Sequence, residues 1–277
     1  RGMRQRHLHP NLITYSAAIS ACEKGARWQE AFSMFFDMRL RRLEPDIISY
    51  NALISACEKG ARWHDAMGMF SSSRLRQVEP NVVTFNSAMA ACVKGSQWQE
   101  VLGTFVDGRL RSLEFDAGSY VVSISACEKG ASWQEALGMF WDMRVRRLEP
   151  NIVACNAVVS ACERGAMWQE ALGMFWDMRL RRLESDDITY SAAISACQKG
   201  ALWQGALGMI SGMRLRCLEP TVITFNAAIT SCANGAGWQE ALGLFLDVRF
   251  RRLDPDVITY SAAISACEKG AKWQEAL

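Results

Sequence analysis

The chain has few groups that could hold a metal. Among its 277 residues there are three histidines, His7, His9 and His64, and no C-x-x-C pair. Zinc needs several His or Cys ligands clustered at short spacing, so no metal site is expected. No predominantly apolar run approaches the ~18 residues that span a bilayer, although half of the chain is hydrophobic, so no membrane partner is expected. No nucleophile stands near a base and an orienting group, which leaves no basis for an enzyme, a small-molecule substrate or a cofactor. The net charge is +2 with a pI near 8.1, too mild to announce a polyanion by itself. Such a partner has to be argued from where the charges sit.

Cysteine is plentiful but placed in one way. Eight of the ten, Cys22, Cys57, Cys92, Cys127, Cys162, Cys197, Cys232 and Cys267, are 35 residues apart; Cys155 and Cys217 are extra. A small, buried, reduced apolar residue explains such a series, and a free thiol at each interval argues against a secreted, oxidising home.

The same interval governs the whole chain. Gly25, Gly60, Gly95, Gly130, Gly165, Gly200, Gly235 and Gly270 mark it, as do Trp28, Trp63, Trp98, Trp133, Trp168, Trp203, Trp238 and Trp273. LITYSAAISACEKGARWQEA at Leu12 returns almost unchanged as VITYSAAISACEKGAKWQEAL at Val257. A fixed period of 20–50 residues marks a solenoid, in which each repeat buries its apolar face on its neighbours. Seven full repeats run 12–46, 47–81, 82–116, 117–151, 152–186, 187–221 and 222–256, with a partial eighth at 257–277. Residues 1–11 align with the tail of a preceding repeat: Met3, Arg4, Arg6 and Pro10 match Met38, Arg39, Arg41 and Pro45. Both ends are therefore expected to be cut from a longer array, with any targeting peptide upstream.

Each repeat reads as two helices. Asp46 caps the first, which should run to about Lys59 and end at Gly60, with Pro45 stopping the helix before it. The second begins near Trp63, has acid in its first turn and ends in a basic MRLRRLEP-type run suited to a helix C-terminus. Tyr15, Ala18, Ile19 and Cys22 form a buried stripe on the first helix, and Trp28, Ala31, Phe32 and Phe35 on the second. Glycines 68, 103, 138, 173, 208 and 243 interrupt the second helices. Each costs ~1 kcal/mol against Ala, and close helix approach is the expected compensation.

Three rows are left on the other face of the first helices. The aliphatic row is Ile13, Ile48, Val83, Val153, Ile188 and Ile223, with Gly118 in the fourth repeat. The polar row is Ser16, Asn51, Asn86, Val121, Asn156, Ser191 and Asn226, and the cation row is Lys24, Lys59, Lys94, Lys129, Arg164, Lys199 and Lys269. A regular line of cations suits a phosphate backbone, or else complements helix C-termini. Asn is a poor interior helix residue, yet it recurs in a scaffold that barely changes. The repeat-closing residues vary in the same way: Asp46, Asn81, Asp116, Asn151, Asp186, Thr221 and Asp256. Capping accounts for their type but not for their variation.

In the ITYSAAISAC first helix, the WQEALGMFWDMR second helix and the EPD/EPN close, the whole chain resembles the pentatricopeptide repeat family. The resemblance implies an all-α fold, a right-handed α-solenoid of helix-turn-helix repeats. It also implies single-stranded RNA as the partner, one base per repeat, selected by the fifth and last residues while the second packs on the base. The base-selecting pairs are then Ser16 with Asp46, Asn51 with Asn81, Asn86 with Asp116, Asn156 with Asp186, Ser191 with Thr221, and Asn226 with Asp256. Ile13, Ile48, Val83, Val153, Ile188 and Ile223 are the packing residues, and the cation row faces phosphate. Asp accepts only, which suits uracil or guanine; Asn can donate, which suits cytosine or adenine. The implied register is G, C (or U), U, any, U, purine, U. The resemblance further implies a chloroplast or mitochondrial home, a role in transcript processing, stability, editing or translation, and protein partners in an RNA-processing complex. The competing reading is a protein-binding tetratricopeptide-like scaffold, but there Trp would open the first helix rather than the second.

Overall fold

The computed structural model of the chain describes residues 10–271. The second helix of the partial eighth repeat, with Trp273, and most of the 1–11 tail lie outside them. Among the described residues there are fifteen α-helices and no strand, each helix 13 residues long. None is long and apolar enough to cross a membrane.

The chain divides into two compact bodies, Arg1–Gly130 and Ala131–Leu277. The first holds α1 (Leu12–Lys24), α2 (Trp28–Leu40), α3 (Ile47–Lys59), α4 (Trp63–Leu75), α5 (Val82–Lys94), α6 (Trp98–Leu110) and α7 (Ala117–Lys129). The second holds α8 (Trp133–Val145), α9 (Ile152–Arg164), α10 (Trp168–Leu180), α11 (Asp187–Lys199), α12 (Trp203–Leu215), α13 (Val222–Asn234), α14 (Trp238–Phe250) and α15 (Val257–Lys269). Within each body a first helix packs on its own second helix and on the next first helix.

The repeat-closing residues cap the first helices. Asp46 Oδ1 accepts from the Ser49 N–H at 2.9 Å, and Asn11, Asn81, Asp116, Asn151, Asp186, Thr221 and Asp256 do the same three residues upstream of their donors. The core between helices is aromatic and repeats edge-on: Phe35 with Tyr50 at 5.1 Å, Phe70 with Phe85 at 4.9 Å, Phe105 with Tyr120 at 5.1 Å and Phe175 with Tyr190 at 5.1 Å. Such geometry sets the positive ring edge on the negative face of its neighbour. The cysteine series is buried, with Cys22 half-buried, and no described cysteine is in a disulfide.

Three local expectations change. The first helices do stop at the glycine, but Gly60 has φ −83°, a value open to any residue. The left-handed residue is the next one, Ala61 at φ 53°, whose N–H bonds Glu58 O at 3.1 Å while Arg62 N bonds Cys57 O at 2.9 Å. The glycine answers to packing instead: a Cβ on Gly60 would lie 2.4 Å from Trp28 Cδ1 of the repeat before, and one on Gly95 2.3 Å from Trp63 Cδ1. Each indole is thus seated on the glycine of the following repeat.

The second helices end at residues such as Leu40, five positions before Pro45. They end through a left-handed residue, Arg42 at φ 59°, and a Leu43 N–H to Met38 O bond of 3.2 Å. The turn, not the proline, stops them. The expected close approach at glycines 68, 103, 138, 173, 208 and 243 is absent: nothing lies within 4 Å of a Cβ built on any of them, and all six are exposed. Their helix penalty stands uncompensated.

Candidate nucleic-acid interface

The three rows project from the first helices, within each body on one side. The aliphatic residues stay in solvent despite the apolar core nearby: Ile13 is 76% exposed, Ile48 59%, Val83 57%, Val153 51%, Ile188 58% and Ile223 74%. Leaving such a side chain out of the core forgoes about 1.5–3 kcal/mol each, so packing within the fold does not account for the row.

Beside each stands the polar pair, drawn together by the stacking of successive first helices. Asn156 Nδ2 donates to both carboxylate oxygens of Asp186, at 3.1 and 3.0 Å. Asn226 Nδ2 donates to Asp256 Oδ1 at 2.9 Å, and Asn51 Nδ2 to Asn81 Oδ1 at 3.4 Å. Asn86 is bonded to Asp116, and Ser16 reaches Asp46 Oδ1 at 3.5 Å. Ser191 and Thr221 do not meet directly; each contacts the Thr224 hydroxyl, at 3.1 and 3.0 Å. Val121 is half-buried and offers no such donor, and Gly118 supplies no side chain beside it.

The cap orients the last residue. Its Oδ1 accepts the N–H of the following helix, so Oδ2 of an Asp, or Nδ2 of an Asn, takes no part in that bond. An Asp therefore turns an acceptor away from the helix end, and an Asn a donor. Backbone and hydroxyl bonds from Ser119 hold the Asp116 carboxyl below the usual carboxylate range, and those from Thr259 do so for Asp256. Both are carboxylates, hence pure acceptors, at neutral pH.

The cation row is engaged between repeats. Lys59 Nζ lies 2.7 Å from Glu23 Oε1, Lys94 Nζ 2.8 Å from Glu58 Oε1 and Lys199 Nζ 2.8 Å from Glu163 Oε1. Lys129 donates to Val93 O at 2.7 Å and Lys269 to Asn234 Oδ1 at 3.0 Å. Lys24 and Arg164 are at the same exposed C-terminal turn. Exposed pairs of this kind are worth about 0–1 kcal/mol, little enough for a phosphate to exchange with.

One set of residues in this interface was not singled out from sequence. Ser49, Thr84, Ser119, Thr189, Thr224 and Thr259, the third residue of their repeats, are buried beneath the pairs and hydrogen-bonded to them. The signal was present: a hydroxyl at the same repeat position, lost only at Ala154.

Sequence comparison agrees with this architecture. The PPR repeat family matches residues 10–59, 45–94 and 150–199, and the Pentatricopeptide repeat domain matches 212–269. The chain belongs to the pentatricopeptide repeat family. No curated protein matches it in sequence. Among solved structures it is similar to the pentatricopeptide repeat protein PPR10 from maize, with 20% identity over 98% of this chain and 44% of that one, TM-score 0.57. PPR10 in complex with an 18-nt psaJ RNA element aligns with 18% identity over 99% of this chain and 45% of that one, TM-score 0.57. The PPR domain of Arabidopsis thaliana protein-only RNase P 1 in complex with tRNA aligns with 14% identity over 62% of this chain and 90% of that one, TM-score 0.56. At these identities the likeness concerns the fold. The chain spans less than half the length of the PPR10 chain it matches.

Proposed function

We propose that the chain binds single-stranded RNA in a sequence-selective way, one base per repeat. The observation that carries this is the recurring trio of an exposed aliphatic side chain, a fifth-position amide and a last residue whose second polar atom takes no part in the helix cap. The aliphatic residue gives a base face something to pack on, and that second atom meets its pairing edge. Asp116, Asp186 and Asp256 accept from the ring N–H of uracil; Asn81 donates to the bare ring nitrogen of cytosine. Ser16 is smaller than Asn and leaves room for guanine above Asp46. The fourth repeat, with Gly118 and Val121, reads nothing. The register is G-C-U from the first three repeats and U-purine-U from the fifth to seventh. That two similar structures are of RNA complexes supports the partner class. An organellar transcript, its processing, stability, editing or translation, and protein partners in such a complex are the setting we propose for this binding.

Fluorescence anisotropy with short labelled RNAs tests the reading. The cognate register should bind tightest, a permuted sequence of the same composition at least tenfold more weakly, and duplex RNA hardly at all. Equal affinity for cognate and permuted RNA would reject sequence selection.

A further inference from the structure

We infer that the threonine at the third position of a first helix is a positioning residue for the base-reading pair of the repeat before it; this rests on the reading just proposed. Thr84 Oγ1 lies 2.6 Å from Asn51 Oδ1, Thr189 Oγ1 2.5 Å from Asn156 Oδ1 and Thr259 Oγ1 2.7 Å from Asn226 Oδ1. All three hydroxyls belong to side chains with no solvent exposure. Each also lies 2.7–3.0 Å from the capping Oδ1, but a hydroxyl has one hydrogen. The capping oxygen already receives the threonine's own N–H and the Asn amide. Among the described residues the Asn Oδ1 takes no other donor, so the hydrogen goes there. Helix capping alone needs the hydroxyl only as an acceptor, which it is for the Asp186 N–H at 3.3 Å. The donation to Asn is an addition that capping does not explain.

Its consequence is orientation. An Asn amide presents a donor at one end and an acceptor at the other, and turning it over exchanges them. With Oδ1 held by the buried hydroxyl, Nδ2 points to the last residue and fixes that residue in turn. The third repeat is a natural comparison. There the residue is Ser119, whose hydroxyl bonds Asp116 Oδ1 at 2.8 Å, and Asn86 Oδ1 is buried without a hydrogen-bond partner. Threonine's branched Cβ limits χ1, which aims its hydroxyl; serine has no such restraint. The sequence carries the same coupling: the one apolar fifth residue, Val121, is followed by the one first helix without the hydroxyl, Ala154.

Two variants with opposite expected effects test this. Thr189→Val keeps the branched shape and the residue-189 N–H to Asp186 Oδ1 bond of the cap but removes the hydroxyl. It should lower U-over-C discrimination at the fifth base roughly three- to tenfold, the range of one hydrogen bond, while discrimination at the seventh base is unchanged. Ser119→Thr should raise U-over-C discrimination at the third base. Discrimination unchanged in both, or lost evenly at every base alongside a lower melting temperature, would mean that the hydroxyl only caps. If Thr189→Val does not fold, Ser119→Thr decides alone. Should the unaltered chain show no preference at the fifth base, one-base reading fails on its own account. The positioning role is then decided without RNA, by 15N relaxation of the Asn156 side-chain amide. A rigid amide that becomes mobile in Thr189→Val supports it, and an unchanged amide overturns it.

Discussion

At the scale of single residues, the account turns on which atoms are spent inside the fold and which face outward. Capping spends Oδ1 of Asp116 on Ser119 and leaves the carboxylate charged well into acid. Its lowered pKa means that the cap's contribution is present above the ordinary carboxylate value of about 4 and is lost only as pH falls through the lower folded value. Uracil preference at the third repeat should therefore survive a titration from pH 7 to about 5, and anisotropy across that range checks it. The thiols give a second residue-scale test. Burial pushes Cys57, Cys92 and Cys162 up to about 12 and Cys155, Cys197 and Cys232 up to about 11, so none of them is a thiolate at neutral pH. Cys217 is exposed. Alkylation of the native protein followed by peptide mapping should label Cys217 first and these six of the buried cysteines only on unfolding. The burial of the cysteine series was legible in its 35-residue spacing. The hydroxyls under the reading pairs were not, because Thr and Ser early in a helix are amply explained by capping.

At the scale of the helix pair, two glycine series with the same spacing do opposite things. Gly95 is where Trp63 sits, and a Cβ there would meet the indole at 2.3 Å. Gly95→Ala should lower stability by about 1–3 kcal/mol through overpacking. Gly103 is exposed on the second helix with nothing near it, and Gly103→Ala should raise stability by about 0.5–1 kcal/mol. Urea titration of the two variants against the unaltered chain checks both signs. Sequence spacing identified both series but not their difference. Periodicity shows that a position recurs, while only coordinates show whether an indole or solvent faces it. The helix starts were readable, since Asp46, Asn81 and their equivalents are N-caps by type and position. The second helices end within the basic run as expected, but the stop was assigned to proline, a conspicuous breaker, whereas the left-handed Arg42 that ends the helix has no sequence mark of its own.

At the scale of the whole molecule, the proposed reading has single-residue chemistry add up along a strand. The lysines that join successive first helices are on the face of the reading pairs and are only partly spent on Glu23, Glu58 and Glu163. Lys94→Ala should weaken binding to all RNAs alike and shallow the dependence of log K on log salt by about 0.7, the single-strand value for one phosphate contact. A slope equal to that of the unaltered chain would leave Lys94 as an inter-repeat strut alone. The central claim is that each last residue selects its own base. It is tested most directly by sequencing the RNA that the unaltered chain and Asp116→Asn each enrich from one random pool. Both side chains cap α7 nearly equally well, so the fold should be preserved within a few tenths of a kcal/mol. The account predicts G-C-U and U-purine-U in the RNA bound by the unaltered chain. For Asp116→Asn it predicts a change from U to C at the third base only, by several-fold or more, as expected where one pair of base-edge hydrogen bonds carries about 1–3 kcal/mol of discrimination. Identical enriched sequences for the two proteins, or a change spread over every position, would contradict it.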